Sequence, residues 1–361
     1  MKVILRGIIW LVVVLLTTLP VVVNLVTIPI FFWAHEPIPI KGGNFIQKNK
    51  KECQPENCLY INIPQGTGVF DVVNLLVEKG VESDPYRPLA LVFFMKWHNL
   101  LKSGEYAFHF PMNHIDVWKK IVRGDVVRHF VTVVEGATIF DVAEALDRSG
   151  IAKKDDVIKL AKDRNFVESL GFHDAPSLEG YLFPATYDFT KKDTADTALK
   201  RMAREFKKRF KPEWLQRAKD MNLSLHQIVT LASMVEKEAV KDEERAVIAA
   251  VFFNRLKIGM PLQSDPTAVY DLENFKGPVL KSHLARPSPY NTYLIKGFPP
   301  GPICNPGIAS IKAVLYPADV TYLYFVSDRQ GGHRFSTTYE DHLKAIREIA
   351  AEINQNPGSK N

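Results

Sequence analysis

The chain has 361 residues, 46% of them hydrophobic and 24% charged, with a net charge of +6 and a pI near 9.0. That length has room for two or three domains, each with its own core, and the composition excludes a disordered or collagen-like chain. The basic excess fits an anionic polymer or surface, but the charges are dispersed. Lys200–Lys211 is the one dense basic run; without a nucleic-acid motif it reads as a solvated helix face, and nucleic acid is not an expected partner.

From Gly7 to Trp33 no residue is charged, a run of 27, and Lys2 and Arg6 precede it. Such a run is long enough to cross a bilayer and longer than a signal-peptide core, and Trp33-Ala34-His35-Glu36 is a poor cleavage site. Lys2 and Arg6 then lie in the cytoplasm and the chain from about Glu36 onward outside it. Residues 1–35 are expected to form a cytoplasmic tip and a single transmembrane helix, with the lipid bilayer as partner through residues 7–33. Pro20, Asn24 and Pro29 weaken the helix and leave its limits open. Residues 36–58 read as a loose linker. Cys53 and Cys58, five positions apart, could close a small disulfide loop in an oxidising compartment; unpaired thiols are the alternative, and Cys304 is left over. No four-ligand metal pattern occurs, so no metal is expected.

After the linker the chain repeats itself. INIPQGTGVFDVVNLLVEKGV from Ile61 aligns with VTVVEGATIFDVAEALDRSGI from Val131 at a constant offset of 70, without a gap. Each copy predicts a short alternating strand, a glycine turn and an amphipathic helix closed by a glycine. Two copies make a duplicated β-α module rather than a solenoid. Between them the pattern predicts a helix near 88–101, a strand at SGEYAFHF and a second helix near 115–122. Small modules of this shape often bind polysaccharide; a spacer between membrane and catalytic domain is the plainer reading. Residues 153–217 are helical in pattern except for SLEGYLFPATYDF. Its Tyr181, Phe183, Tyr187 and Phe189 are expected at a domain seam, partly facing a groove, and its Glu179 is a possible helper carboxylate.

The stretch LHQIVTLASMVEKEAVKD, 225–242, predicts a helix with Asn222 or Ser224 as N-cap and Ile228, Leu231, Ala232, Val235 and Ala239 on one apolar face. Two carboxylates, Glu236 and Glu238, end that face. A glutamate half-buried beside an apolar stripe loses hydration, which disfavours its ionised form and raises its pKa, as a general acid requires. The plainer alternative is two solvated charges paired with Lys237 and Lys241. Glu238 neighbours Met234 and Val235, whereas Glu236 neighbours Ala232 and Ser233; on this geometry the choice is close to a tie. A second helix, 243–258, follows. The chain then turns rich in Pro, Gly, Asn, Tyr and Thr, as loops lining a binding groove are. Gln263, Asp265, Tyr290, Asn291, Thr292 and Tyr293 are the candidate groove residues, each with a structural alternative in turn formation. A strand at TYLYFVSD, the GGHRFSTTYEDH turn and a helix near 339–353 end the chain.

The blocks LASMVEKEA, NRLKIGMPLQSDPTAVY, YNTYLIKGFPPGPICNPG and YLYFVSDRQGGHRFSTTYEDH resemble those of the YceG-like endolytic murein transglycosylases, in the family's order from about Leu59 to the C-terminus. The resemblance implies a bitopic inner-membrane enzyme with its body outside the cytoplasm. It also implies an α+β chain: the anchor, a small LysM-like module carrying the duplication, and a mixed α/β catalytic domain. The expected partition is 59–130 for the LysM-like module and first repeat, 131–220 for the second repeat and a helical connection, and 221–361 for catalysis. It further implies cleavage of nascent peptidoglycan strands to 1,6-anhydro-N-acetylmuramic acid ends, no cofactor, peptidoglycan synthases as partners, and Glu238 as the essential glutamate. It thereby separates Glu238 from Glu236.

One carboxyl group suffices for that chemistry. Glycosidases normally use two, but in a lytic transglycosylase the muramic 6-hydroxyl attacks its own anomeric carbon. One glutamic acid can protonate the leaving oxygen and, as carboxylate, take the proton from that hydroxyl. Two rivals stand beside this reading: a hydrolytic muramidase using Glu238 with Asp265, and a non-enzymatic peptidoglycan-binding membrane protein. The chain has no HExxH, Walker, GxSxG or SxxK motif, which leaves metalloprotease, NTPase, serine-hydrolase and penicillin-binding readings without support.

Overall fold

The computed structural model describes residues 27–38, 58–272 and 275–355. Most of the expected transmembrane run, residues 7–26, and Cys53 lie outside the described residues. Among the described residues no helix is long and apolar enough to cross a membrane. Cys58 is disulfide-bonded, while Cys304 is free and buried. The chain forms two compact units, one made of the residues up to His129 with 190–192, the other of 130–189 and the residues from Asp193 on.

In the first unit β1 (Cys58–Ile63) and β2 (Gly104–His109) pair antiparallel, Ile61 opposite Tyr106. Between them run α2 (Val69–Glu78) and α3 (Tyr86–Phe94), and α4 (His114–Arg123) follows; a helical stretch, residues 27–35 (α1), precedes them. Alternation in the strand and helical spacing in α2 and α4 aim Ile61, Ile63, Val72, Leu76, Trp118 and Ile121 into one core. The buried Glu82 carboxylate is satisfied by His114 Nδ1 at 2.6 Å and by Trp118 Nε1–H at 3.0 Å. The end of the apolar run joins this core: Trp33, its last residue, is buried in it, as are Ala34 and Ile38 beyond.

The second unit opens with the second copy of the repeat. Its β3 (His129–Thr132) and α5 (Ile139–Arg148) stand 70 residues after the matching positions of the first copy, and Gly66/Gly136 and Gly80/Gly150 all take positive φ. The duplication reaches further than the sequence match. After α5 come α6 (Lys154–Ala161) and α7 (Arg164–Ser169), then β4 (Thr186–Phe189), which pairs with β3 as β2 pairs with β1. The second copy is not a separate layer: its Val131, Ile139, Val142 and Leu146 share one core with Leu231, Met234 and Val235.

That core is built from α8 (Ala195–Arg209), α9 (Pro212–Asp220), α10 (Leu225–Glu238), α11 (Arg245–Lys257) and α13 (Ile308–Leu315), with a single turn, α12 (Lys281–Leu284), between the last two. β5 (Tyr324–Ser327), β6 (His333–Ser336) and α14 (Tyr339–Gln355) complete it. The basic run is α8's outer face: Lys200 pairs with Asp196 and Arg209 with Glu205, while Leu199, Met202 and Phe206 point inward. The aromatic segment is core rather than seam, correcting the expectation that part of it faces a groove. Tyr181, Phe183, Tyr187 and Phe189 are all buried in the core, where Tyr181 packs edge-on against Phe206 of α8 with ring centroids 5.2 Å apart.

Candidate active site

Helix α10 carries the site. Ser224 caps it in a reciprocal capping box with Gln227, and the helix stops at Glu238 because Ala239 turns extended. It is four residues shorter than the stretch 225–242 predicts. From Ile228 to Val235 every residue is buried, so α10 is a core helix whose two end turns alone are partly exposed, and Glu236 and Glu238 lie in the C-terminal one. Gly180 lets the neighbouring segment press against it: a Cβ there would meet Pro302 at 2.6 Å and Val229 at 2.7 Å.

The two glutamates part at that turn. Glu236 is locked into structure: Oε1 accepts from the Arg245 guanidinium at 3.2 Å, and Oε2 from the Gly307 backbone N–H at 2.9 Å, at the N-terminus of α13. Arg245 also donates to Ser310 Oγ at 2.6 Å and to Asp242 at 3.0 Å. A Cβ at position 307 would lie 2.0 Å from a Glu135 carboxylate oxygen, the end of an exposed side chain that would have to swing aside.

Among the described residues Glu238 has no ion-pair partner and accepts one close hydrogen bond, from Ser264 Oγ at 2.6 Å. Burial pushes its carboxyl up to about 7. The Ser264 hydrogen bond opposes that, Asp265 adds to it, and His333 and Arg255 pull the other way. Near neutral pH the group exists as both acid and carboxylate, as a group that first gives and then takes a proton must.

The loop holding Ser264 is braced from behind. Ser264 N–H donates to Thr292 Oγ1 at 2.9 Å, Thr292 N–H to Thr267 Oγ1 at 3.2 Å, and the two threonine hydroxyls meet at 2.8 Å. Gln263 takes a left-handed φ of 50°, held by its N–H on Thr292 O at 3.1 Å. Arg255 ties Leu262 O (2.7 Å) to Leu323 O (2.6 Å), fixing this loop to β5. Tyr293 O–H donates to Asp265, and Tyr290 packs on Tyr270 with ring centroids 4.7 Å apart.

The expected groove residues therefore divide. Gln263 and Asp265 are exposed, and Tyr290 and Tyr293 partly so. Asn291 and Thr292 are fully buried braces, which corrects their assignment to the groove: Asn291 holds Leu284 O and Arg286 O, and Thr292 holds Ser264. Glu179 is likewise no helper of Glu238. It is buried, accepting from Ile139 N–H at 3.1 Å and from Tyr270 O–H at 2.8 Å, and desolvation raises it to about 7. Sequence reading missed Ser264, between two residues that it picked, along with His333 and the role of Arg255. Serine beside an Asp-Pro turn reads as turn chemistry, and only its packing against α10 reveals the contact. A cavity of about 410 Å³ lies on the second repeat, lined by Thr132, Glu135, Asp141 and Arg148; neither Glu238 nor Ser264 borders it, so chemistry rather than concavity identifies the site. Among the described residues no cluster of side chains suited to a metal ion occurs.

A profile of the YceG-like family matches residues 61–348, most of the chain. The chain belongs to the YceG-like family. An endolytic murein transglycosylase of Bacillus subtilis is 34% identical over 339 residues, covering 88% of this chain and 92% of that protein. An endolytic murein transglycosylase of Streptococcus pneumoniae is 29% identical over 323 residues, covering 80% of this chain and 58% of the longer pneumococcal protein. A crystal structure of a yceG-like protein from Listeria monocytogenes superposes with a TM-score of 0.58 at 32% identity, covering 80% of this chain and 98% of that one.

Proposed function

We propose that this YceG-like chain is a lytic endotransglycosylase of peptidoglycan. It cleaves the bond from N-acetylmuramic acid to N-acetylglucosamine within nascent strands and leaves 1,6-anhydro-muramic ends. The observation that carries this is Glu238: a carboxyl raised by burial to about 7, with no ion pair among the described residues, in a family whose relatives include endolytic murein transglycosylases. Glu238 as acid protonates the leaving glycosidic oxygen, then as carboxylate takes the proton of the muramic 6-hydroxyl as that oxygen closes on C1. Ser264 Oγ donates to the carboxylate and can turn to accept from the acid, so it orients the group in both forms. Gln263, Asp265, Tyr290 and Tyr293 contact sugar and steady the oxocarbenium-like state.

The apolar run 7–33 tethers the enzyme to the inner membrane with its body outside the cytoplasm, within reach of peptidoglycan synthases. The strand-helix-helix-strand order of the first unit is consistent with a LysM-like wall-binding module. One second reading has an observation behind it: Asp265 stands close enough to raise Glu238, so a two-carboxylate muramidase is the rival. Digestion of purified peptidoglycan by the full chain and by Glu238→Gln, read by mass spectrometry, separates them. Anhydro-muramyl products from the wild type alone are expected. Products one water heavier would establish the muramidase, and cleavage by Glu238→Gln would displace Glu238 from the chemistry.

A further inference from the structure

The apolar run does not end on a slack tether. Its last residue, Trp33, is buried in the first unit with its ring stacked on His114 at 4.2 Å, and Ile38 N–H donates to Met112 O at 2.9 Å. Just before this attachment Phe31 and Phe32 are 61% and 66% exposed. Helix α3 starts beside it, for the Arg87 guanidinium lies 5.9 Å from the Trp33 ring.

α3 has two apolar faces, and the core uses one. Pro88, Leu91 and Val92 point inward. At about 100° per residue, Tyr86, Phe93 and Phe94 fall on the opposite stripe, and they stay 78%, 45% and 61% exposed. Phe70, at the start of α2, widens the stripe by packing against Phe93 at 6.3 Å between centroids, and is itself 59% exposed. Single exposed apolar residues are ordinary, but a cluster of large aromatics marks a surface that something covers. The stripe runs from Arg87, at the foot of the apolar run, to Phe94, about 10 Å away along the helix. A bilayer entered by residues 7–33 is thus within reach of the whole patch, and the short attachment holds it there at high effective concentration.

We propose that the outer face of α3, with Phe70, inserts into the interfacial layer of the bilayer from which the apolar run emerges. Aromatic rings suit that layer, and the neighbouring Lys96 and Arg87 suit its phosphates. The inference rests on the membrane-anchor reading above. It makes the first unit a part of the membrane attachment, fixed against the lipid rather than free to swing.

The test uses the full chain in vesicles of phosphatidylcholine and phosphatidylglycerol carrying a lipid with a photoactivatable diazirine in the upper acyl chain. Adducts are mapped by mass spectrometry. Expected are adducts on the 7–33 run and on the peptides holding Phe70, Phe93 and Phe94. In Phe70→Ser/Phe93→Ser/Phe94→Ser the α3 adducts should fall about tenfold. The run should stay labelled and the melting temperature unchanged, because these side chains are exposed. Labelling of the run alone would overturn the proposal and leave the anchor standing. Labelling of neither would overturn both. Undiminished α3 labelling in the triple variant, or cross-links between two copies in place of lipid adducts, would also overturn it.

Discussion

At the residue scale the deciding difference lies between two glutamates two positions apart. Glu236 meets a guanidinium and a helix N-terminus, whereas Glu238 meets a single hydroxyl. That contrast was nearly invisible in the sequence, because Arg245 and Gly307 lie 9 and 71 residues beyond Glu236. Two pH predictions follow from the buried acids. Glu238 and Glu179 both sit at about 7 in the fold, against an ordinary 4.5. With the folded value raised, the folded state holds protons more tightly than the unfolded one. Stability is therefore greatest below about 4.5 as far as these groups go, and falls through the window up to about 7. Each group then costs on the order of a few kcal/mol above neutrality. Glu238→Gln should accordingly melt higher than the wild type at pH 8 and the same at pH 4, by calorimetry. On the proposed mechanism the same titration sets the basic limb of kcat/KM, because only the acid protonates the leaving oxygen. Ser264→Ala removes the bond that lowers Glu238, so its limb should move to higher pH by about one unit while kcat falls about tenfold. A limb that stays in place would mean that Ser264 does not act on the titrating group.

At the element scale the strand, helix and turn pattern of the repeat was readable, because alternation, helical spacing and a paired glycine recur at each copy. The boundary of α10 was not. Residues 239–242 keep helical composition, yet Glu236 is fastened to Gly307 and Arg245, and Ala239 must turn away to bring α11 alongside. Asn291 and Thr292 were misread for a related reason: polar side chains in a loop-rich segment serve as braces as readily as ligands, and only burial tells which. The Glu236–Arg245 pair is the joint between α10, α11 and α13. Arg245→Met would leave Glu236 buried without its cation, a loss of about 3 kcal/mol. The melting temperature should drop by roughly 8 °C for a unit of this size. Glu236→Gln keeps an acceptor for Gly307 N–H, so the folded variant should retain the wild-type pH limb. A shifted limb in that variant would return Glu236 to the chemistry.

At the scale of the whole molecule the duplication has two different fates. The first copy builds a unit around its own core, and the second has been absorbed into the core that carries α10. Sequence similarity could report the copies but not this divergence, because the partners that hold the second copy in the larger core lie far along the chain. Asn305 is the plainest of them: it bonds Ala137 O at 2.8 Å and Leu182 N–H at 2.9 Å, 168 and 123 residues away. Separate cores imply separate cooperativity. Trp118 is fully buried in the first unit and donates to Glu82, so Trp118→Ala opens a cavity and strips a buried carboxylate of a donor. The loss should be about 4 kcal/mol, confined to that unit. Calorimetry of the full chain should resolve two transitions, and the variant should lower one while leaving the other in place. Cleavage of soluble glycan fragments, for which the proposed site lies in the second unit, should persist below the lowered transition. A single transition that shifts as a whole would make the two units one cooperative body, and the first unit would then be a part of the catalytic fold rather than its attachment.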